Sequence, residues 1–277
     1  MAALTAARPR LAGLRRLARS AAARRADGVF LVEGSTLAAE ASAAGLAIRQ
    51  VYIETARADE EARCLGDRLA AAGATRLEVE AGALAKVGAS VTPQPLLAVV
   101  ERPAAAAGGD APAGAASFVL VAVSVADPGN AGTLLRCAEA AGAGAVIFAG
   151  ESADPYGPKA VRASAGSIFR LPPALAQDPI TALEGLRGRG LRAVGAAAGR
   201  GCPFDRADLS APLALVVGNE SHGLPASLAE QIDDWVHVPL AGLAESLNVG
   251  AAAAVLCFEV QRRRRCEAPQ AEAAHGR

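Results

Sequence analysis

Short apolar runs alternate along the chain with longer amphipathic stretches, many of which close on a glycine. Residues 29–33 (Val-Phe-Leu-Val-Glu) predict a strand and residues 35–44 a helix capped by Gly45. Residues 48–53, a helix over 58–72 ending at Gly73, residues 76–79, a short segment at 84–87 and residues 96–100 continue the alternation, which defines an α/β module. Residues 103–116 contain only Ala, Gly, Pro and Asp110, which cannot build a core, so 104–116 reads as a linker. A second alternation follows. Strands are expected at 118–125, 145–148, 168–171, 191–195, 213–217 and 235–238, and helices at 132–141, near 158–164, at 181–187 and at 247–262. The unbroken apolar run Leu213-Ala-Leu-Val-Val217 suits a parallel sheet covered on both faces. The expected organisation is thus a module over 1–103, the linker, a second domain over 117–263 and a loose tail over 264–277.

Composition sharpens this picture. The 277 residues are 52% hydrophobic but only 3% aromatic, so the core is expected to consist of Ala, Val and Leu. No run approaches the roughly 20 apolar residues of a membrane span, and the Arg-dotted N-terminus lacks the apolar centre of a secretory signal, so a cytoplasmic chain is expected. The five cysteines lie far apart without a C-x-x-C pair, and His222, His237 and His275 have no partner at metal-ligand spacing, so no metal is expected. Net charge is zero, yet its distribution is uneven. Arg8, Arg10, Arg15, Arg16, Arg19, Arg24 and Arg25 precede the first acidic residue, Asp27, and Arg262 to Arg265 form a second basic run. Such clusters suit phosphate contacts, although a solvated basic tail has the same composition.

Three segments carry the candidate chemistry. Asp127-Pro-Gly-Asn130-Ala-Gly-Thr-Leu-Leu-Arg136 follows a strand and opens a helix, with Asn130 or a neighbour at the point where unpaired backbone N–H groups attract anions. Gly218-Asn-Glu220-Ser-His-Gly223 follows the strand at 213–217; its Ser221 lacks the G-x-S-x-G spacing of a nucleophile elbow, and what it offers is Glu220 beyond a strand's carboxyl end. Ser246-Leu-Asn248 introduces the last helix, with Ser246 as a candidate N-cap. Gly142-Ala-Gly144 stands at a helix end before a strand, the wrong order for a dinucleotide fingerprint, and reads as a C-cap. Each segment has a plain structural explanation; their combination in one α/β domain does not.

Together the three segments resemble the SpoU/TrmH family of S-adenosylmethionine-dependent RNA 2'-O-ribose methyltransferases, with Lys159-Ala-Val-Arg162-Ala-Ser164-Ala-Gly166 as a further match. Phe30-Leu-Val-Glu33-Gly34 and Val91-Thr-Pro-Gln94 resemble the ribosomal-protein-like RNA-binding domain that precedes the catalytic domain in many members. Pro95 and Gly250 depart from the pattern, at positions where the family often has glycine and serine. The resemblance implies a smaller α/β RNA-binding domain followed by a parallel-sheet, trefoil-knotted SPOUT-type domain, and a homodimer. It further implies S-adenosyl-L-methionine held by Gly218, Val238, Leu240 and Leu247, and a reacting ribose surrounded by Asn130, Arg136, Glu220, Ser246 and Asn248. RNA contacts are expected from Arg15, Arg16, Arg24, Arg25 and Arg162, on ribosomal RNA in preference to tRNA, while a non-catalytic RNA-binding or assembly protein of the same fold stays open. Phe30, Tyr52 and Tyr156 are the candidates for base stacking, with Phe30 also a candidate for the core.

Overall fold

The computed structural model describes residues 7–87, 92–103, 118–210 and 212–267; the linker expected at 104–116, Val91 and most of the tail expected at 264–277 lie outside them. Contacts divide the chain into two compact units, Met1–Ala105 with Ala153–Pro172, and Ala106–Ser152 with Pro173–Arg277.

The first unit begins with α1 (Ala7–Arg19) and α2 (Ala21–Asp27). Between them the Ser20 hydroxyl accepts the Ala23 N–H at 3.1 Å, an N-cap that starts α2 afresh. There follow β1 (Val29–Glu33), α3 (Ser35–Ala43), β2 (Ile48–Ile53), α4 (Glu60–Ala71), β3 (Thr75–Glu78), one 3-10 turn (Leu84–Lys86) and β4 (Leu96–Glu101). The helix expected from residue 58 starts at Glu60 because Asp59 caps it, accepting the Ala62 N–H at 2.8 Å. The sheet order is β1-β4-β2-β3, with β4 antiparallel to β1 and β2, and β2 parallel to β3. Leu14 and Leu17 of α1 pack on Leu31, Leu97 and Val99 of this sheet.

The second unit begins with β5 (Phe118–Val123), α5 (Pro128–Ala140) and β6 (Ala145–Ala149). The chain then passes through α6 (Pro158–Ala163) and α7 (Ser167–Arg170), which belong to the first unit's contacts. It returns with β7 (Ala174–Ala176), α8 (Pro179–Arg187), β8 (Arg192–Ala196), β9 (Cys202–Pro203), β10 (Leu213–Val217), a 3-10 stretch (Ala226–Gln231), β11 (Asp234–His237) and α9 (Val249–Glu267). The strand expected at 168–171 is the helix α7. Gly166, in the left-handed region at φ 83°, turns the chain there, and adjacent Ile168 and Phe169 are both buried, which a half-covered strand does not allow.

All six pairings of the seven-stranded sheet are parallel, in the order β7-β6-β5-β10-β8-β11-β9. Val119, Val121 and Val123 share one core cluster with Leu183 and Leu186 of α8; the intervening Phe118, Leu120 and Ala122 are fully buried too, so both faces are covered. Register decides where function can sit: Val217 lies beside Ala122, Val216 beside Gly195, and Val236 beside Ala196. The carboxyl ends of β5, β10, β8 and β11 therefore coincide, and the loops that leave them are neighbours.

Candidate active site

The first of these loops enters α5. Asp127, not Asn130, is the N-cap: its Oδ1 accepts the Asn130 N–H at 3.0 Å, and Pro128 occupies the first turn, where no N–H is missed. The helix therefore begins four residues before the expected 132, and the Asn130 side chain is free to point away from its own backbone.

It points to Glu220. Asn130 Nδ2 donates to Glu220 Oε1 at 2.7 Å, while the backbone N–H groups of Ala126 and Asp127 donate to Glu220 at 3.1 and 3.2 Å. Burial alone raises a carboxyl pKa; here the Asn130 amide and the backbone donors outweigh it and hold Glu220 below its ordinary value, as an anion. Asn130 Oδ1 in turn accepts from Asn248 Nδ2 at 3.0 Å, and Asn248 Oδ1 accepts the N–H groups of Gly250 and Ala251 at 2.9 and 3.3 Å. Asn248, rather than the expected Ser246, thus satisfies the first turn of α9. Gly250 is the residue that lets α9 approach α5, because a Cβ there would stand 2.8 Å from Thr133 Cγ2.

Beside this network lies a cleft of about 260 Å³, near the lower end of the roughly 300–1,000 Å³ of small-molecule sites. Gly218, Val238, Leu240 and Leu247 all line it, as do Glu220 and Ser246, with Ala196 and Ala197 from the end of β8. Gly218 is required by packing: an added Cβ would stand 2.3 Å from the Gly223 backbone, where Asn219 and Gly223 exchange hydrogen bonds at 3.0 and 2.9 Å. Leu240 and Leu247 remain more than a third exposed, which leaves apolar surface facing the cleft.

The structure thus brings Asn130, Glu220 and Asn248 into one network and Ser246 and the four cofactor candidates into one cleft. Arg136 lies two turns into α5 with its side chain exposed. Among the arginines expected on RNA, Arg25 and Arg162 are exposed; Arg162 approaches Glu33 at 3.4 Å, Arg16 pairs with Asp27, and Arg15 donates to the Lys86 carbonyl at 3.1 Å. Arg24 differs from the expectation. It is 4% exposed, donates to Asp154 Oδ2 at 2.6 and 2.8 Å and to the carbonyls of Leu17 and Ala18, and so is internal structure. The three aromatic candidates are likewise buried: Tyr52 in the first unit's core, and Phe30 edge-on to Tyr156 at 5.1 Å. Burial, with Arg102 over the ring working in the opposite sense, pushes the Tyr156 hydroxyl up to about 12. Among the described residues no His, Cys, Asp and Glu cluster is arranged to hold a metal ion, and no helix is long and apolar enough to cross a membrane.

A parallel α/β sheet whose strand ends form an apolar cleft beside a fixed carboxylate and two amides defines an α/β protein with a small-molecule site at its strand ends. Sequence comparison gives the class its name. Residues 117–258 match the SpoU rRNA Methylase family and residues 8–98 the MRM3-like substrate binding domain. The 23S rRNA (guanosine(2553)-2'-O)-methyltransferase RlmP of Bacillus subtilis is 33% identical over 232 residues, 84% of this chain and 88% of the relative. A 23S rRNA (uridine(2479)-2'-O)-methyltransferase of Streptomyces viridochromogenes is 37% identical over 142 residues, half of each chain. The crystal structure of the SpoU methyltransferase AviRb from the same organism, in complex with AdoMet, superposes with a TM-score of 0.84 at 29% identity, covering 92% of this chain and 98% of that one. The chain belongs to the SpoU rRNA methylase family.

Proposed function

We propose that this protein methylates a ribose 2'-hydroxyl of 23S ribosomal RNA, with S-adenosylmethionine seated in the cleft beside Gly218 and the target ribose facing Asn130, Glu220 and Asn248. The observation that carries the reading is the convergence of Glu220, a wall of the cleft, with Asn130 and Asn248 in one hydrogen-bonded chain. The donor set fits the cofactor. Apolar Val238, Leu240 and Leu247 suit an adenine ring, and the Gly218 turn lets backbone groups approach it. When bound, S-adenosylmethionine supplies a methyl group made electrophilic by its sulfonium.

The chain's own residues position the nucleophile. Methyl transfer is an in-line displacement, so most of the acceleration comes from holding the ribose oxygen on the axis of the breaking bond. The Glu220–Asn130–Asn248 chain joins three separate segments and fixes the orientation of two amide groups beside the cleft that Glu220 lines. Arg136, whose side chain is exposed, clamps an RNA phosphate and favours the developing alkoxide, and the hydroxyl proton leaves to solvent water because a guanidinium is a poor proton acceptor. Arg15, Arg16, Arg25 and Arg162 of the first unit supply further phosphate contacts. The homodimer and the threaded C-terminal segment belong to the same reading, as does the assignment of residues 1–103 to RNA binding and 117–263 to catalysis.

The test is methyl transfer from labelled S-adenosylmethionine to deproteinised 23S rRNA and, in parallel, to bulk tRNA, with the product nucleoside identified. A 2'-O-methyl nucleoside in 23S rRNA is expected. Label confined to tRNA refutes the substrate, and failure of the protein to bind S-adenosylmethionine by calorimetry refutes the enzymatic reading and revives a non-catalytic RNA-binding protein.

A further inference from the structure

Next to Glu220 stands a residue that also lines the cleft but whose side-chain contacts the Glu220–Asn130–Asn248 network does not include. Asn219 Nδ2 donates to the Ser124 carbonyl at 2.8 Å, across from the Gly218 turn to the loop that leaves β5. Its Oδ1 accepts the N–H groups of Ser221 and His222 at 2.9 and 3.1 Å, so the same side chain also closes the Gly218–Gly223 turn from within. Its target is strained. Ser124 has φ 53°, in the left-handed region that residues other than glycine seldom adopt and that persists only where the surroundings impose it. Two and three residues further on, Ala126 and Asp127 present the N–H groups that hold the Glu220 carboxylate.

From these contacts we infer that Asn219 is a positioning residue for methyl transfer: its strap to Ser124 holds the β5 loop in a strained conformation and so sets the ribose-facing network against the cofactor cleft. The inference rests on the proposed activity for its kinetic consequence, but the strap itself has a readout that does not. Asn219→Asp separates the residue's two jobs. It keeps an acceptor for Ser221 and His222 and puts an oxygen, in place of the donor, against the Ser124 carbonyl.

The full-length N219D protein is expected to show faster amide exchange at Ala126 and Asp127, with a wild-type circular dichroism spectrum. S-adenosylmethionine affinity measured by calorimetry changes much less than kcat, which on 23S rRNA falls about 10- to 100-fold, the scale of a small misplacement of reacting groups. Adding Ser124→Gly to N219D is expected to restore much of both properties, because glycine adopts φ 53° without a strap. Unchanged amide exchange in N219D overturns the inference. So does a loss of cofactor affinity equal to the loss of kcat, or a double variant no better than N219D. A wild-type protein that binds no S-adenosylmethionine defeats the proposed activity instead, and the exchange measurement still decides the strap.

Discussion

Asn130 and Glu220, ninety residues apart, are joined by a 2.7 Å hydrogen bond whose direction is forced. A carboxylate only accepts, so Asn130 must turn its NH2 towards Glu220 and its oxygen towards Asn248. Asn248 must then donate its own NH2, which leaves its oxygen for the N–H groups that open α9. One negative charge thereby fixes the orientation of two amides and the start of a helix. Replacing it tests the whole arrangement. Glu220→Gln keeps the shape but brings an NH2 against donors, and is expected to lower stability by about 1–3 kcal/mol in denaturant titrations. It is also expected to lower kcat by about 10²-fold, with little change in the KM for RNA. Wild-type kcat in this variant removes Glu220 from the reaction.

The same charge predicts a pH dependence. Although burial opposes ionisation, the donors around Glu220 lower its pKa in the folded protein below the unfolded value near 4.5. The unfolded chain then binds more protons than the folded one over that interval, so the stabilisation is fully present above about pH 4.5 and disappears as pH falls through the lowered folded value. Denaturant unfolding of wild type and E220Q between pH 3 and 7 checks this: the gap in stability is expected to be constant above pH 5 and to shrink below 4.5. A gap that widens in acid reverses the assignment.

The proposed phosphate clamp rests on Arg136, and the exposure of its side chain makes the test clean. Arg136→Lys retains the charge and loses the planar fork that binds an oxyanion through two parallel hydrogen bonds. Methylation is expected to drop at least about tenfold with no change in melting temperature. Near-normal turnover by the lysine variant ends the clamp.

Much of the second unit was legible before any coordinates, for identifiable reasons. The run at 213–217 matches β10 residue for residue because a strand buried on both faces has no polar position to blur its ends. Gly142 follows α5 at φ 73°, as expected for a helix-ending glycine, and Gly45 does the same after α3 of the first unit at φ 78°. The site was harder, because its decisive contacts join residues about ninety or more apart. Asn130 and Asn248 each carry a plausible capping role locally, but Asp127 performs the first cap and frees Asn130 for Glu220, which the pairing of β5 with β10 brings near. The Asp127-Pro128 pair did contain that signal, an N-cap before a proline in the first turn. Nothing local marks Asn219, whose partner Ser124 lies across two parallel strands' ends. Arg24 misled for the same reason. A basic run shows charge but not which member turns inward.

Gly250 bears on a departure from the family pattern, which often has serine at this position. A Cβ there would meet Thr133 Cγ2 at 2.8 Å and Thr133 Cβ at 3.3 Å, and a β-branched side chain has little freedom to yield. Gly250→Ser is therefore expected to destabilise by about 1–3 kcal/mol, despite the better helix propensity of serine. Adding Thr133→Ala is expected to recover most of the loss, giving a favourable coupling in a double-mutant cycle. Independent, additive effects of the two substitutions show that α5 and α9 are not in register through this contact.

The neighbouring arginines Arg24 and Arg25 differ in burial within a single helical step. Arg24 is buried against Asp154, with exposures of 5% and 11% for the two side chains, so Arg24→Ala leaves an unpaired carboxylate inside the first unit and is expected to cost about 3–5 kcal/mol. Arg25 is exposed, and Arg25→Ala is expected to leave the melting temperature unchanged while weakening RNA binding and reducing its salt dependence, as the loss of one phosphate contact requires. Thermal melts and filter binding of 23S rRNA across a salt series read the two effects separately. An R25A protein with wild-type affinity and salt slope takes α2 out of the RNA-binding surface, and an R24A protein of normal stability removes the buried pair from the first unit's framework.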